Sequence, residues 1–141
     1  MKACGYKWRS LYCVLPLLTV FSLLLAGGCM AEEVLRGESD DGSTLSLSPG
    51  QVLLVRLPSN PTTGYRWKVV AIDEVVLKQV GEAEFTPYQT GRIPLAGAGG
   101  TELFRFRAVG PGKTTLRLEY VRPWEKGVPA VKQYALLVIV H

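Results

Sequence analysis

The sequence has very few of the side chains that enzymes use for nucleophilic or metal-assisted catalysis. Its 141 residues include one histidine, His141, and three cysteines, all within the first 29 positions. These positions exclude a Ser–His–Asp group, a Cys–His group and a histidine-based zinc site from the interior of the chain. Paired carboxylates for glycoside hydrolysis need a cleft that a domain of this size rarely has. We therefore predict that the protein is not an enzyme and binds no metal or cofactor.

The sequence also lacks the excess of positive charge that is typical of nucleic-acid-binding domains. The formal net charge is +4, but Lys2, Lys7 and Arg9 precede a long apolar segment. Beyond that segment, 13 basic residues face 12 acidic residues. The remaining net charge of about +1 provides no basic surface for nucleic acid, so we predict no nucleic-acid partner.

The N-terminal segment has the layout of a secretory signal. Residues 1–10 carry three positive charges, residues 11–26 are almost wholly apolar, and small residues follow. The apolar run is shorter than the roughly 20 residues that span a membrane, and Pro16 interrupts it. An uncleaved membrane anchor is the alternative to a cleaved signal, and we favour the cleaved signal.

The residues around Cys29 indicate where cleavage occurs. The stretch LAGGC, ending at Cys29, resembles a bacterial lipoprotein box, in which the cysteine becomes lipidated. We therefore predict a lipoprotein-type signal over 1–28 and an exported protein, periplasmic or at the cell surface, whose acyl chains at Cys29 are its only membrane contact. Ordinary cleavage after Ala31 is the alternative.

The remaining chain is predicted to be an all-β domain. Residues 29–42 are polar and are predicted to form a tether. From residue 43 onward, apolar and polar residues alternate in short runs between turns rich in the 15 glycines and nine prolines. This pattern predicts an immunoglobulin-like antiparallel β-sandwich of about seven or eight strands, monomeric, over 43–141. The predicted strands are 43–48, 51–57, 65–70, 75–80, 83–90, 102–109, 114–121 and 131–140.

Three connections between these strands are predicted to lie at one end of the sandwich. If consecutive strands run up and down, the loops near residues 60–65, 90–100 and 122–127 share one end, and the turn Gly110–Gly112 lies at the other. Loops held on a rigid scaffold commonly carry recognition. The three loops could instead be a plain β-turn, a flexible connection, and a loop in which Trp124 folds back while Arg122 pairs with Glu125.

The three loops carry motifs that identify a family. NPTTGY (Asn60–Tyr65), GAGG (Gly97–Gly100) and RPW (Arg122–Trp124) occur in this order. Together they resemble the chagasin-type inhibitors of papain-like cysteine peptidases, over nearly all of residues 43–141. The family more commonly has Phe where this chain has Tyr65.

The resemblance implies a function and a site. It implies an immunoglobulin-like fold that inhibits papain-like cysteine peptidases reversibly and competitively, with the first loop in the catalytic cleft and the other two clasping its sides. Thr62 would approach the catalytic cysteine of the target, and Trp124 would pack on an aromatic residue. The implied peptidase-binding residues are Asn60, Pro61, Thr62, Thr63, Gly64, Tyr65, Gly97, Ala98, Gly99, Gly100, Arg122, Pro123 and Trp124.

A second class of function stays open from the sequence. A membrane-tethered adhesive or carbohydrate-binding β-sandwich would use an exposed row of aromatic residues on a sheet face, and Trp67 is the single candidate for such a row. The inhibitor hypothesis requires instead that the three loops converge.

Overall fold

The computed structural model describes residues 32–88 and 97–141. The predicted signal peptide, Cys29 and the first part of the second loop lie outside these ranges. Within them, no helix has the length and apolar character needed to cross a bilayer.

The described residues form nine strands and two short 3₁₀ turns. The turns are Glu38–Asp40 and Pro61–Thr63. The strands are β1 (Glu33–Gly37), β2 (Thr44–Leu47), β3 (Val52–Ser59), β4 (Arg66–Ala71), β5 (Leu77–Gln79), β6 (Glu84–Pro87), β7 (Gly100–Ala108), β8 (Gly112–Val121) and β9 (Lys132–Val140).

The strands build two sheets that pack face to face. The first sheet has the order β1-β3-β7-β5, with β6 also paired to β7, and the second has the order β2-β9-β8-β4. The all-β sandwich is therefore confirmed. The pairing is not wholly antiparallel, because β1 runs parallel to β3 and β2 runs parallel to β9. Between β1 and β3 the chain crosses to the second sheet and forms β2 there. It can therefore re-enter the first sheet with β3 running in the same direction as β1.

The segment predicted as a tether contributes a strand. Glu33–Gly37 pairs with β3 in the register Glu33↔Val52 to Gly37↔Arg56. Val34 packs against the core, and Gln51 Nε2 donates to the Glu32 carboxylate at 2.8 Å. Residues 33–37 therefore belong to the fold. The sequence pattern missed them because an edge strand with one half-buried apolar residue and charged neighbours resembles a polar linker.

The core follows from the period-two alternation of the long strands. Phe104, Phe106 and Ala108 of β7 face inward, and Leu116 and Leu118 of β8 meet them from the other sheet. The arginines between them face outward, as the alternation predicts. The largest fully buried side chains are Tyr134, Phe106, Leu47, Leu53, Leu57, Leu77, Leu116, Leu118, Leu136, Val55 and Val138.

The register places the functional loops at one end. Ser59, the last residue of β3, pairs with Gly100, the first residue of β7. At the opposite end, Val52 pairs with Arg107, close to the short turn Gly110–Gly112 between β7 and β8. The β3–β4 loop and the segment leading into β7 therefore emerge side by side.

Candidate functional site

The β3–β4 loop is a compact turn with two exposed threonines. Pro61–Thr63 forms the 3₁₀ turn, in which Thr63 N–H donates to Asn60 O at 3.1 Å and Gly64 N–H donates to Pro61 O at 2.9 Å. The Thr63 hydroxyl also donates to Asn60 O at 2.7 Å, and the Thr62 hydroxyl donates to Asn60 Oδ1 at 2.5 Å. Each hydroxyl is thus held by Asn60, and the tip is ordered by its own hydrogen bonds.

Gly64 ends this turn in a conformation that other residues rarely adopt. Its φ is +83°, in the left-handed region. A Cβ built on Gly64 would overlap the six-membered ring of Trp124. Two constraints therefore favour glycine at position 64: the positive φ of the backbone, and the indole of Trp124, which leaves no room for a side chain.

The β8–β9 loop holds Trp124 against the first loop and leaves most of it in solvent. Trp124 is 66% exposed although its ring contacts Gly64, and Pro123 beside it is exposed as well. A large exposed indole that is held on one side is typical of an anchor for a protein partner. The sequence left open that Trp124 folds back on the sandwich. The indole does pack against the protein, but it packs on the first loop, and its other face stays exposed.

Arg122 joins the third loop to the first. Its Nε–H donates to Thr63 O at 3.3 Å, and one of its terminal nitrogens contacts Glu125 Oε1 at 3.1 Å. Its guanidinium carbon lies 4.4 Å from the centroid of the Tyr65 ring, within cation–π range. The ion pair to Glu125, which the sequence offered as an alternative to a binding role, is thus part of the same arrangement.

Tyr65 is the outer member of a stack of aromatic rings beneath Arg122. Tyr65 stacks on Tyr120 with centroids 5.3 Å apart, and Tyr120 contacts Trp67 at 5.1 Å. The Tyr120 hydroxyl accepts a hydrogen bond from Asn60 N–H at 2.8 Å. The stack therefore fixes both ends of the β3–β4 loop.

Trp67 is buried at the base of this stack, with 6% of its surface exposed. Its indole N–H donates to Pro58 O at 2.9 Å. The adhesive hypothesis needed Trp67 on an open sheet face, and the structure removes that candidate.

The second loop meets the first through Gly97 and Gly99. Asn60 Nδ2 donates to Gly97 O at 3.3 Å, and a Cβ on Gly99 would lie 3.3 Å from Ser59 O. Gly97 has a φ of +84° and open space around it, and Ala98 is half-buried. Gly99 O also accepts from Tyr88 N–H at 2.9 Å.

Gly100 differs from its neighbours in being buried. It pairs with Ser59 on one side of β7 and with Pro87 on the other. A Cβ there would overlap Thr86 O and the Phe85 ring. Gly100 therefore supports the loop from inside the sheet, and the exposed part of this motif is Gly97–Gly99.

The described parts of the three predicted loops thus converge, with the first loop in the middle. Sequence reasoning missed Tyr120 and Tyr88, which hold these loops, whereas it did name Glu125 as a partner of Arg122. Tyr120 had a usable signal, because a large aromatic residue at the loop-proximal end of an alternating strand must cover the end of the core. The partner of Tyr88 depends on loop conformation and had no such signal.

The site offers little to a small molecule or a metal ion. The depression between the first two loops, lined in part by Asn60, Tyr88 and Tyr120, has a volume of about 200 Å³, below the roughly 300 to 1,000 Å³ of most ligand pockets. In residues 32–88 and 97–141, no group of three or more His, Cys, Asp or Glu side chains could hold a metal. The arrangement suits a macromolecular surface.

Comparison with known families identifies the class of protein. The family described as "Chagasin family peptidase inhibitor I42" matches residues 46–138. The chain belongs to the chagasin family of peptidase inhibitors, and the members of this family are inhibitors, not enzymes.

Individual relatives agree in sequence and in fold. Chagasin of Trypanosoma cruzi is 34% identical over 90 residues, which cover 62% of this chain and 79% of chagasin. Amoebiasin-2 of Entamoeba histolytica is 26% identical over 122 residues, covering 86% of this chain and 97% of the relative. The crystal structure of a cysteine protease inhibitor from Entamoeba histolytica has a TM-score of 0.67 at 24% identity, over 78% of this chain and 96% of that chain. This last similarity confirms the immunoglobulin-like sandwich.

Proposed function

We propose that the protein is a reversible, competitive inhibitor of papain-like cysteine peptidases. One observation carries the proposal: in a chain of the chagasin family, the described parts of three loops meet at one end and contact one another directly. These contacts order the described parts of the loops before any partner arrives, so binding costs little conformational entropy.

In the proposed complex the β3–β4 loop enters the catalytic cleft with Thr62 at its tip. Thr62 and Thr63 are the exposed side chains of the turn, and both are small enough for a narrow cleft. Because the turn is closed by Asn60 and Gly64, the backbone at the tip keeps its shape instead of adapting to the enzyme as an extended substrate does. Such a loop occupies the cleft without presenting a bond in position for cleavage.

The flanking loops would contact the two walls of the cleft. Trp124 supplies a held but exposed indole on one side, with Arg122 and Pro123 beside it. Gly97, Ala98 and Gly99 present backbone on the other side, where the glycines lack side chains and a partner can approach closely. Three loops can cover the roughly 800 Å² per partner of a standard inhibitor interface.

Trp124→Ala tests whether the third loop belongs to the binding surface. We expect the inhibition constant against papain to rise about 30-fold, as for a tryptophan that anchors an interface. The midpoint of thermal unfolding should move by less than about 2 °C, because the indole is mostly solvated.

The matched control for that variant is Val75→Ala. Val75 is 76% exposed and lies beside the turn Gly110–Gly112, at the end away from the loops. It should leave inhibition unchanged. Equal inhibition constants for Trp124→Ala and the parent protein would remove Trp124 from the interface.

We propose further that the protein is exported as a monomer and tethered to a bacterial membrane face by lipid at Cys29. The LAGGC stretch supports lipidation, and the position of β1 is compatible with it. Glu33 is four positions after Cys29, a stretch of chain that spans at most about 14 Å. Glu33 pairs with Val52, at the end of the sandwich opposite the loops. A tether there would leave the inhibitory loops pointing away from the membrane.

Replacement of Cys29 by serine tests the tether. The parent protein should partition with the membrane fraction and be released by Cys29→Ser, while inhibition per molecule stays the same. If the parent protein, whose gene encodes Cys29, is found in the soluble fraction, cleavage after Ala31 would instead be favoured.

A further inference from the structure

Glu102 is a buried carboxylate at the loop end of the core. It lies on β7, where alternate residues face inward, and only 5% of its surface is exposed. Its neighbours on the same face, Phe104 and Phe106, are apolar. A charged group in such a position is costly unless hydrogen bonds compensate the loss of water.

Two hydrogen bonds satisfy the carboxylate, and each comes from one stem of the β3–β4 loop. Ser59, the residue before Asn60, donates its hydroxyl to Oε1 at 2.7 Å. Trp67, the second residue after Tyr65, donates its backbone N–H to Oε2 at 3.2 Å. One side chain thus joins the two ends of the loop.

This link replaces a sheet ladder that the topology does not provide. β3 belongs to the first sheet and β4 to the second, so the two stems of the loop are not paired strands. Two further contacts join the ends of the loop. The Trp67 indole N–H donates to Pro58 O. Tyr120 accepts from Asn60 N–H while its ring stacks on Tyr65. The separation of the loop's ends is consequently determined by side chains, and Glu102 is bonded to both ends at once.

We propose that Glu102 is a positioning residue that sets the conformation of the inhibitory loop. The proposal depends on the inhibitory function proposed above. Glu102 does not touch the peptidase. It holds Ser59 and Trp67 at the spacing that lets Asn60–Tyr65 close into its 3₁₀ turn, and removing it leaves a domain that folds but whose loop samples other conformations.

The test compares Glu102→Ala with Thr114→Val, a matched loss of a buried side-chain hydrogen bond elsewhere. Thr114 is 6% exposed and its hydroxyl accepts from Asp73 N–H at 2.9 Å, at the end away from the loops. Both variants lower the midpoint of thermal unfolding. At a temperature where both are folded, Glu102→Ala should raise the inhibition constant about tenfold or more. Thr114→Val should leave it within about twofold of the parent.

Two milder variants cover the case in which Glu102→Ala does not fold. Glu102→Gln keeps an oxygen for Trp67 N–H and should recover most of the inhibition. Ser59→Ala removes one of the two bonds and should raise the inhibition constant about threefold. An unchanged inhibition constant in Ser59→Ala, or equal effects of Glu102→Ala and Thr114→Val, would overturn the proposal.

Hydrogen exchange of the free protein separates this proposal from the inhibitory function. In Glu102→Ala, or in Ser59→Ala if that variant does not fold, the amides of Asn60 and Trp67 should exchange faster than in Thr114→Val, while amides of β8 and β9 exchange alike. That result supports the positioning role even if the parent protein fails to inhibit a peptidase. Identical exchange at Asn60 and Trp67 in all variants contradicts it.

Discussion

At the scale of single residues, the site depends on glycines at positions where a side chain would overlap neighbouring atoms. Gly64 combines a φ of +83° with the close approach of Trp124, and Gly100 is enclosed by Thr86 and Phe85. The motif Asn-Pro-x-x-Gly predicted the turn at Gly64 from local chemistry alone. The packing of Trp124 on Gly64 could not be predicted, because the two residues are distant in sequence and meet only once both loops are folded.

Gly64→Ala is expected to damage inhibition more than stability. Strain from a positive φ costs about 1 kcal/mol, and the new methyl group also displaces the Trp124 ring. We expect the inhibition constant to rise about tenfold or more, measured by titration against papain together with the midpoint of thermal unfolding.

Gly81→Ala is the matched control for the backbone strain. Gly81 has a φ of +71° and no neighbours within 4 Å of an added Cβ. It should lower the midpoint by a similar amount and leave inhibition unchanged. A loss of inhibition of the same size in both variants would mean that global stability, and not the Trp124 contact, explains the effect of Gly64→Ala.

At the scale of elements, alternation and turn residues predicted eight of the nine strands of the described residues, and the strand that they missed is the edge strand β1. β7 and β8 have clear inward and outward residues, and both were predicted from residues such as Phe104, Phe106 and Leu116. The almost continuously apolar sequence of β9 is typical of a strand that is buried on both faces, but only one face of β9 is fully buried. Tyr134, Leu136 and Val138 are buried, but Ala135, Leu137 and Ile139 between them are only half-buried, because no layer covers the outer face of the second sheet among the described residues.

Removal of the edge strand β1 should lower the stability of the domain. A chain that begins at Glu38 loses the pairing of β1 with β3 and the packing of Val34. Its thermal midpoint should fall by about 5 °C or more relative to a chain that begins at Ala31. Inhibition should persist at low temperature, since β1 ends beside Arg56, before the loop begins. Equal midpoints for the two chains would mean that residues 33–37 act as the polar tether that their composition suggested.

At the scale of the whole molecule, the buried hydroxyl of Tyr134 should make the stability of the fold decrease at alkaline pH. Tyr134 is 1% exposed, and its hydroxyl has no hydrogen-bond partner among the described residues. Burial, aided by the nearby charges of Asp40 and Asp41, raises the pKa of this phenol above its ordinary value of 10.0. Below about pH 10 the phenol is neutral in both states, and above it the unfolded chain releases the proton more readily, so the folded state loses stability as pH rises.

Tyr134→Phe should remove that dependence. At pH 7 the variant should be as stable as the parent or slightly more stable, because it deletes a buried hydroxyl without orphaning a partner. The difference in thermal midpoint between variant and parent should then widen above about pH 10. Tyr88→Phe, at a tyrosine that is 50% exposed, is the control. A constant difference from pH 7 to pH 11 would contradict the account of Tyr134.

The general organisation of the molecule was predictable, and the links between its parts were not. Turn residues and alternation located the three loops at one end, and the motifs indicated the family. The contacts that hold the loops, such as Glu102 to Ser59 and Trp67, join residues 43 and 35 positions apart. Such pairings follow from strand register and sheet assignment, which a single sequence does not specify.

The most direct test of the inhibitory function is a titration of papain activity with the purified protein, read with a small fluorogenic substrate at several substrate concentrations. We expect dose-dependent inhibition that reverses on dilution, with an apparent inhibition constant that increases linearly with substrate concentration. Full activity of papain and of related peptidases at micromolar protein, with the β-sheet circular dichroism spectrum intact, would show that the protein does not inhibit these peptidases.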